Sequence, residues 1–199
     1  MYLVKKEQNN PCFQEPYYKK FLLWHKGIGE YFSNQGCKES ALADLEKALS
    51  IKVADMNLDE INIQIRMSIA NILSEQNKIE CSISIYQQCL TNWNQLIQPQ
   101  DPYVKLRILF NLCLTLSKIN QFENVLHYGQ KGINECLKFR TNYLLGEFYY
   151  YMCYASFHLS IPLALEYGKR AYFIFYATNK TQYLDKTKQL LKIIKKLDK

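Results

Sequence analysis

One pattern recurs four times along this chain, and a chain that repeats itself in this way has few folds open to it. The segments are "FLLWHKGIGEYFSNQGCKESALADLEKAL" (21–49), "IQIRMSIANILSEQNKIECSISIYQQCL" (63–90), "KLRILFNLCLTLSKINQFENVLHYGQKGI" (105–133) and "LLGEFYYYMCYASFHLSIPLALEYGKRAYFI" (144–174). Each reads as helix, short polar turn, helix, at a spacing of about 40 residues. The turns are "NQGCKE", "EQNKIE", "KINQFE" and "HLSIP". Within each half the apolar residues follow a helical period and do not alternate. Leu42, Leu45 and Leu49 fall on one stripe, and so do Ile83, Tyr86 and Leu90. One hairpin cannot bury its own apolar face, but a stack of hairpins can.

Small residues recur at equivalent places. Gly29, Ala70 and Cys113 lie midway through the first helix, and Ala41, Ser82 and Ala164 lie early in the second. Ala48, Cys89, Gly132 and Ala171 lie late in the second. Helices that cross closely need small residues at the crossing. The expectation is an all-α fold, a right-handed superhelix of about four tetratricopeptide-like hairpins over residues 17–199. The lysine-rich "TQYLDKTKQLLKIIKKLDK" is its C-terminal capping helix, and residues 1–16 form an N-terminal extension or linker remnant. The spacing exceeds the roughly 34 residues of a tetratricopeptide repeat. The extra length sits in "SIKVADMNLDE", "TNWNQLIQPQDPY" and "CLKFRTN", the second punctuated by Pro99 and Pro102.

Several function classes lack support. No glycine-rich phosphate loop, GxSxG, HExxH or paired-carboxylate motif is present. His25, His127 and His158 are far apart, each in or beside a helix. The seven cysteines have no CxxC spacing, which argues against a disulfide framework or a structural zinc. Reduced core thiols in a cytoplasmic protein are expected, with no metal, no cofactor and no enzymatic activity. No apolar run is long enough to span a membrane. A net charge of +7 permits an acidic partner without establishing nucleic-acid binding.

In such a stack the first helices line a groove, whose lining is read from residues that break the apolar stripe. These are Lys26 and Glu30, then Arg66, Met67 and Asn71, then Arg107 and Asn111, then Glu147, Tyr150, Tyr151 and Tyr154. Successive helix residues are about 100° apart, so the tyrosine cluster cannot all face one way, and Tyr150 and Tyr154 are assigned to the groove. Asn111 interrupts an otherwise apolar helix. A carboxamide offers a donor and an acceptor, which matches one peptide unit, so Asn111 either clamps an extended peptide or bonds a neighbouring helix. Arg107 and Lys26 are placed to receive a carboxylate.

Four stretches, "FLLW…KESALADLEKAL", "IANILSEQNKIECSISIYQQCL", "VKLRILFNLCLTLSKINQFENVLHYGQKGI" and "LLGEFYYYMCY", carry a resemblance over about residues 17–195. They resemble the C-terminal peptide-sensing domain of PlcR-type regulators, in the Rgg/Rap/NprR/PlcR/PrgX group of bacterial quorum-sensing proteins. The resemblance implies binding of a short secreted-and-reimported signalling peptide in the groove. It implies that Asn111 contacts the peptide backbone, that Glu147 stands where glutamine is usual, and that Tyr183 is a groove-side tyrosine. Met67 stands where the family carries a second backbone-clamping asparagine.

The resemblance further implies a homodimer, with DNA bound only through a helix-turn-helix domain that is not among these residues. The expected function is therefore the peptide sensor of a quorum-sensing transcriptional regulator. The alternative is a tetratricopeptide-type protein–protein scaffold with no signalling role. A Rap-like phosphatase is a third class, and it needs an additional N-terminal helical bundle with an acidic catalytic side chain.

Overall fold

A computed structural model describes residues 7, 10–11, 15–33, 38–53 and 58–197. Residues 34–37 of the turn "NQGCKE", which include Cys37, part of the linker before the second repeat, Cys12 and most of the expected extension 1–16 lie outside the described residues. Among the described residues there are nine α-helices and no strand: α1 Pro16–Phe32, α2 Lys38–Ser50, α3 Leu58–Glu75, α4 Ile79–Gln95, α5 Tyr103–Lys118, α6 Phe122–Lys138, α7 Leu145–His158, α8 Ala164–Ala177 and α9 Thr181–Leu197. The chain forms two compact units, Met1–Gln100 with α1–α4 and Asp101–Lys199 with α5–α9. Each unit holds two hairpins of a first and a second helix, and α9 packs on α8 in the second.

The helix ends explain the regular spacing. Asn77, Asn120, Arg140, Ser160 and Asn179 are left-handed, with φ between 51° and 62°. The next N–H in each case bonds back five residues, as in Lys78 N to Leu73 O at 2.9 Å and Ile161 N to Ser156 O at 2.8 Å. This closes the last carbonyls of the helix, and asparagine tolerates the left-handed conformation better than most residues. At the other end, Pro16 opens α1, where its missing N–H costs nothing.

The crossings decide the packing. Counting back seven residues from Asn77, Asn120 and Ser160 gives Ala70, Cys113 and Cys153, all fully buried. Gly27, not Gly29, holds this place on α1. A Cβ on Gly27 would lie 2.9 Å from the Ala41 carbonyl and 2.9 Å from the Leu45 side chain, whereas Gly29 is only half-buried. On the second helices Ala41, Ser82, Ala48, Cys89 and Ala171 are fully buried, and so is Ala164 to 5%.

Bulk is shared across each crossing. Gly27 faces Leu45, while Cys113 and Cys153 face Gly129 and Gly168. In the second hairpin the fully buried Ala70 lies on α3 next to Asn71, whose Oδ1 accepts from the Tyr86 hydroxyl at 2.6 Å. The unit 1 core gathers Tyr31, Leu45, Ile61, Ile65 and Ile72. In unit 2 Leu106, Leu109, Leu112, Phe148 and Phe175 are fully buried.

Two predictions follow from this packing. A Cβ at Gly132 would lie 2.3 Å from the Phe148 ring, which is itself fully buried and cannot move aside. Gly132→Ala is expected to destabilise by about 1–3 kcal/mol through overpacking, read as a lower urea midpoint at unchanged slope.

The second concerns pH. Burial pushes the Cys89 thiol from 9.0 to about 11 and the Cys136 and Cys153 thiols to about 12. Burial, then the bond to Glu75, pushes the Tyr31 hydroxyl from 10.0 to about 12. Each group binds its proton more tightly folded than unfolded, so its contribution is complete below the unfolded value and is lost as pH rises through the folded one. The urea midpoint is expected to hold up to about pH 9 and then fall steadily towards pH 12.

Candidate functional site: the open side of the first helices

The left-handed turn residues set a common register. Thirteen residues before Asn77, Asn120 and Ser160 stand Gln64, Arg107 and Glu147. Ten before stand Met67, Phe110 and Tyr150, nine before stand Ser68, Asn111 and Tyr151, and six before stand Asn71, Leu114 and Tyr154. These rungs lie on one side of each first helix. The crossing residues Ala70, Cys113 and Cys153 face the second helices instead.

In unit 1 this side carries a cleft of about 310 Å³ lined by Tyr17, Phe21, Trp24 and His25 of α1 and Glu60, Ile61 and Gln64 of α3. Its aromatic wall is continuous. Phe21 stacks on His25 at 4.1 Å, and Trp24 meets the same ring edge-on at 4.6 Å. The Trp24 indole donates to Ser68 Oγ at 3.0 Å, which joins α1 to α3. Burial lowers the His25 pKa, so at neutral pH the ring is an uncharged part of that wall. Glu60 accepts the Gln100 N–H at 2.7 Å. Sequence reasoning did not single out Phe21, Trp24, Glu60 or Gln64. Of these, Gln64 stands thirteen residues before Asn77, on the rung shared by Arg107 and Glu147.

The structure places four expected residues of this unit differently. Lys26 pairs with Asp44 of α2 at 2.7 Å, and Glu30 accepts from Ser40 Oγ at 2.9 Å. Both therefore turn toward α2, away from the cleft. Met67 is 7% exposed and belongs to the core. Asn71 is half-buried and takes the Tyr86 hydroxyl. Arg66 sits five positions from Asn71, about 140° round the helix. Its charge depresses the Lys20 and Cys89 pKa values, after burial in the first case and against it in the second, which sets Arg66 near Lys20 of α1 and Cys89 of α4.

Unit 2 gathers more of the expected residues. Arg107 is half-buried and bonds Asp101 at 2.9 Å. Asn111 is half-buried and already engaged within the chain. Phe110 meets the Tyr151 ring edge-on at 6.0 Å. Tyr149 and Tyr151 are buried, whereas Tyr150 and Tyr154 are partly exposed and pack against Cys153, Ala164, Leu190 and Ile194. Tyr183 of α9 packs edge-on against Tyr150 at 5.9 Å and stacks on Phe175 at 5.1 Å.

Glu147 lies at the bottom of this aromatic cup, only 4% exposed. One oxygen is paired with Lys180, and the other, Oε2, is buried with no hydrogen-bond partner. Burial, then the Glu147 charge, raises the Tyr183 pKa, so its hydroxyl stays protonated. The arrangement combines phenol rings with a carboxylate oxygen able to accept an N–H.

Lys180 pairs with a carboxylate that is almost wholly out of water. Lys180→Met is expected to cost about 1–3 kcal/mol, because the charge of Glu147 is left uncompensated. Adding Glu147→Leu should restore most of that loss. A double-mutant cycle in urea checks this.

Among the described residues no group of three His, Cys, Asp or Glu side chains could hold a metal ion. Cys81 is exposed, while Cys89, Cys113, Cys136 and Cys153 are buried and free. No described helix is long and apolar enough to cross a membrane.

Comparison with solved structures gives the same fold. Bacillus thuringiensis PlcR in complex with the peptide PapR7 and DNA is 21% identical with a TM-score of 0.77, covering 92% of this chain and 66% of that one. Apo PlcR is 20% identical with a TM-score of 0.84, covering 94% and 68%. Aspartyl phosphate phosphatase F from Bacillus subtilis is 16% identical with a TM-score of 0.72, covering 97% and 50%. This chain thus spans about two thirds of the PlcR chains and half of the phosphatase chain. No curated protein matches it in sequence. A model of the RNPP family C-terminal domain matches residues 1–192, and the chain belongs to that family.

Proposed function

We propose that this chain is the peptide-sensing domain of a bacterial quorum-sensing transcriptional regulator, and that it binds a short signalling peptide on the open side of its first helices. The observation that carries the reading is the family match along nearly the whole chain. The similar PlcR is known in complex with a peptide and DNA, which supports the same class of ligand here. The register described above supports the location. Arg107, Asn111, Glu147, Tyr150 and Tyr154 stand on shared rungs of α5 and α7, and Tyr183 closes over them from α9.

In this reading the Asn111 carboxamide meets a peptide unit, and Glu147 Oε2 accepts a ligand N–H. Arg107 takes a carboxylate in exchange for Asp101. The tyrosines supply apolar contact area. The peptide shifts a population between domain arrangements, to which a homodimer and a helix-turn-helix domain outside these residues would respond. Lys26, Glu30 and Met67 are left out of the site by their contacts with α2 and the core.

Calorimetric titration with peptides of five to eight residues, including those encoded beside the gene, tests this. Saturable binding is expected, weakened by about 1 kcal/mol or more in Asn111→Ala because a peptide group is left unpaired. A folded chain that binds none of them, or binds equally well in Asn111→Ala, would favour the scaffold alternative.

A further inference from the structure

The α8–α9 end of unit 2 carries a groove that no described helix fills. Gly168 of α8 lies between Cys153 of its own first helix and Leu191 of α9, just as Gly129 lies between Cys113 and Met152. Leu191 therefore holds the place of Met152. By the same register Lys188, Lys192 and Lys195 hold the places of Tyr149, Cys153 and Ser156, all three of which are buried on α7. The side of α7 on which a second helix lies has become, on α9, a side edged with lysines.

The groove between this side and α8 is about 380 Å³. Tyr172, Phe173 and Leu191 form its floor, and Lys169, Lys188, Lys192 and Lys195 form its edges. A terminal helix that only needed a solvated face would have no use for the floor, yet Phe173 is 66% exposed. A second helix of the internal kind is excluded. Lys192 stands where Gly27, Ala70, Cys113 and Cys153 permit close approach. A second copy presenting the same groove would set lysines against lysines.

We propose that this groove docks an acidic amphipathic helix of a partner protein. Its apolar ridge would lie on Tyr172, Phe173 and Leu191, and its carboxylates would meet the four lysines. Charge complementarity selects the partner, because cations edge the groove on both walls and no carboxylate lines it. This is a partner site on the other side of unit 2's last helices from Tyr183, separate from the peptide site.

The test is fluorescence anisotropy of the full chain with a labelled helical peptide of about 18 residues, leucines at helical spacing and glutamates elsewhere. Binding at micromolar concentrations is expected, weaker with added salt and at least tenfold weaker in Phe173→Asp and in Lys192→Glu. Both positions are exposed, and circular dichroism checks that both variants fold. A lysine-for-glutamate version of the peptide should not bind. Asn111→Ala should leave this binding unchanged, which separates it from the peptide-sensor reading.

No binding of the acidic helix overturns the proposal. So does binding that Phe173→Asp leaves intact, which would mark a general attraction to positive charge. Capture by anionic lipid vesicles in place of the helix, or self-association of the chain abolished by Phe173→Asp, would also overturn it and assign the groove to a membrane or to a second copy.

Discussion

The fold rests on the space available where first and second helices cross. Two helices can pack closely only if their summed bulk at the crossing is small, and the hairpins meet this condition in different ways. The first removes all bulk from α1 with Gly27 and spends it on Leu45. The later ones place a cysteine on the first helix and remove bulk from the second, with Cys113 against Gly129 and Cys153 against Gly168. The second keeps the small Ala70, fully buried, on its first helix. What recurs is a small residue on at least one side of each crossing, not the identity of either residue. This is why the four segments share so few identical positions while sharing a fold.

A fixed crossing fixes the faces of each first helix, and with them the rungs of the open side. The left-handed residues Asn77, Asn120 and Ser160 end each first helix at the same phase, so a position thirteen residues earlier points the same way every time. The occupants of that rung differ in chemistry: a carboxamide at Gln64, a cation at Arg107 and an anion at Glu147. Packing constrains the direction of these side chains without constraining their charge.

Helix boundaries, hairpin pairing and the late small residues of the second helices were legible in the sequence, because each depends on local periodicity. The failures come from contacts between helices. Lys26 and Glu30 break the apolar stripe of α1 and so looked like groove residues, but Asp44 and Ser40 on α2 claim them. Met67 was assigned by analogy of position, and burial overrules it. The pairing of Glu147 with Lys180 spans two helices and leaves no periodic trace.

On the proposed reading, Glu147 serves both stability and recognition. A carboxylate this deeply buried is costly unless paired, and Lys180 supplies the pair for one oxygen only. The second oxygen keeps its desolvation cost without a hydrogen bond in return. Any group that donates to it regains that cost, so a ligand N–H there gains more than it would from an acceptor that water already serves. Arg107, at the matching position of α5, differs because Asp101 already satisfies it and a ligand anion must compete. On the proposed reading, Glu147 therefore contributes more to affinity than Arg107, although both stand on the same rung.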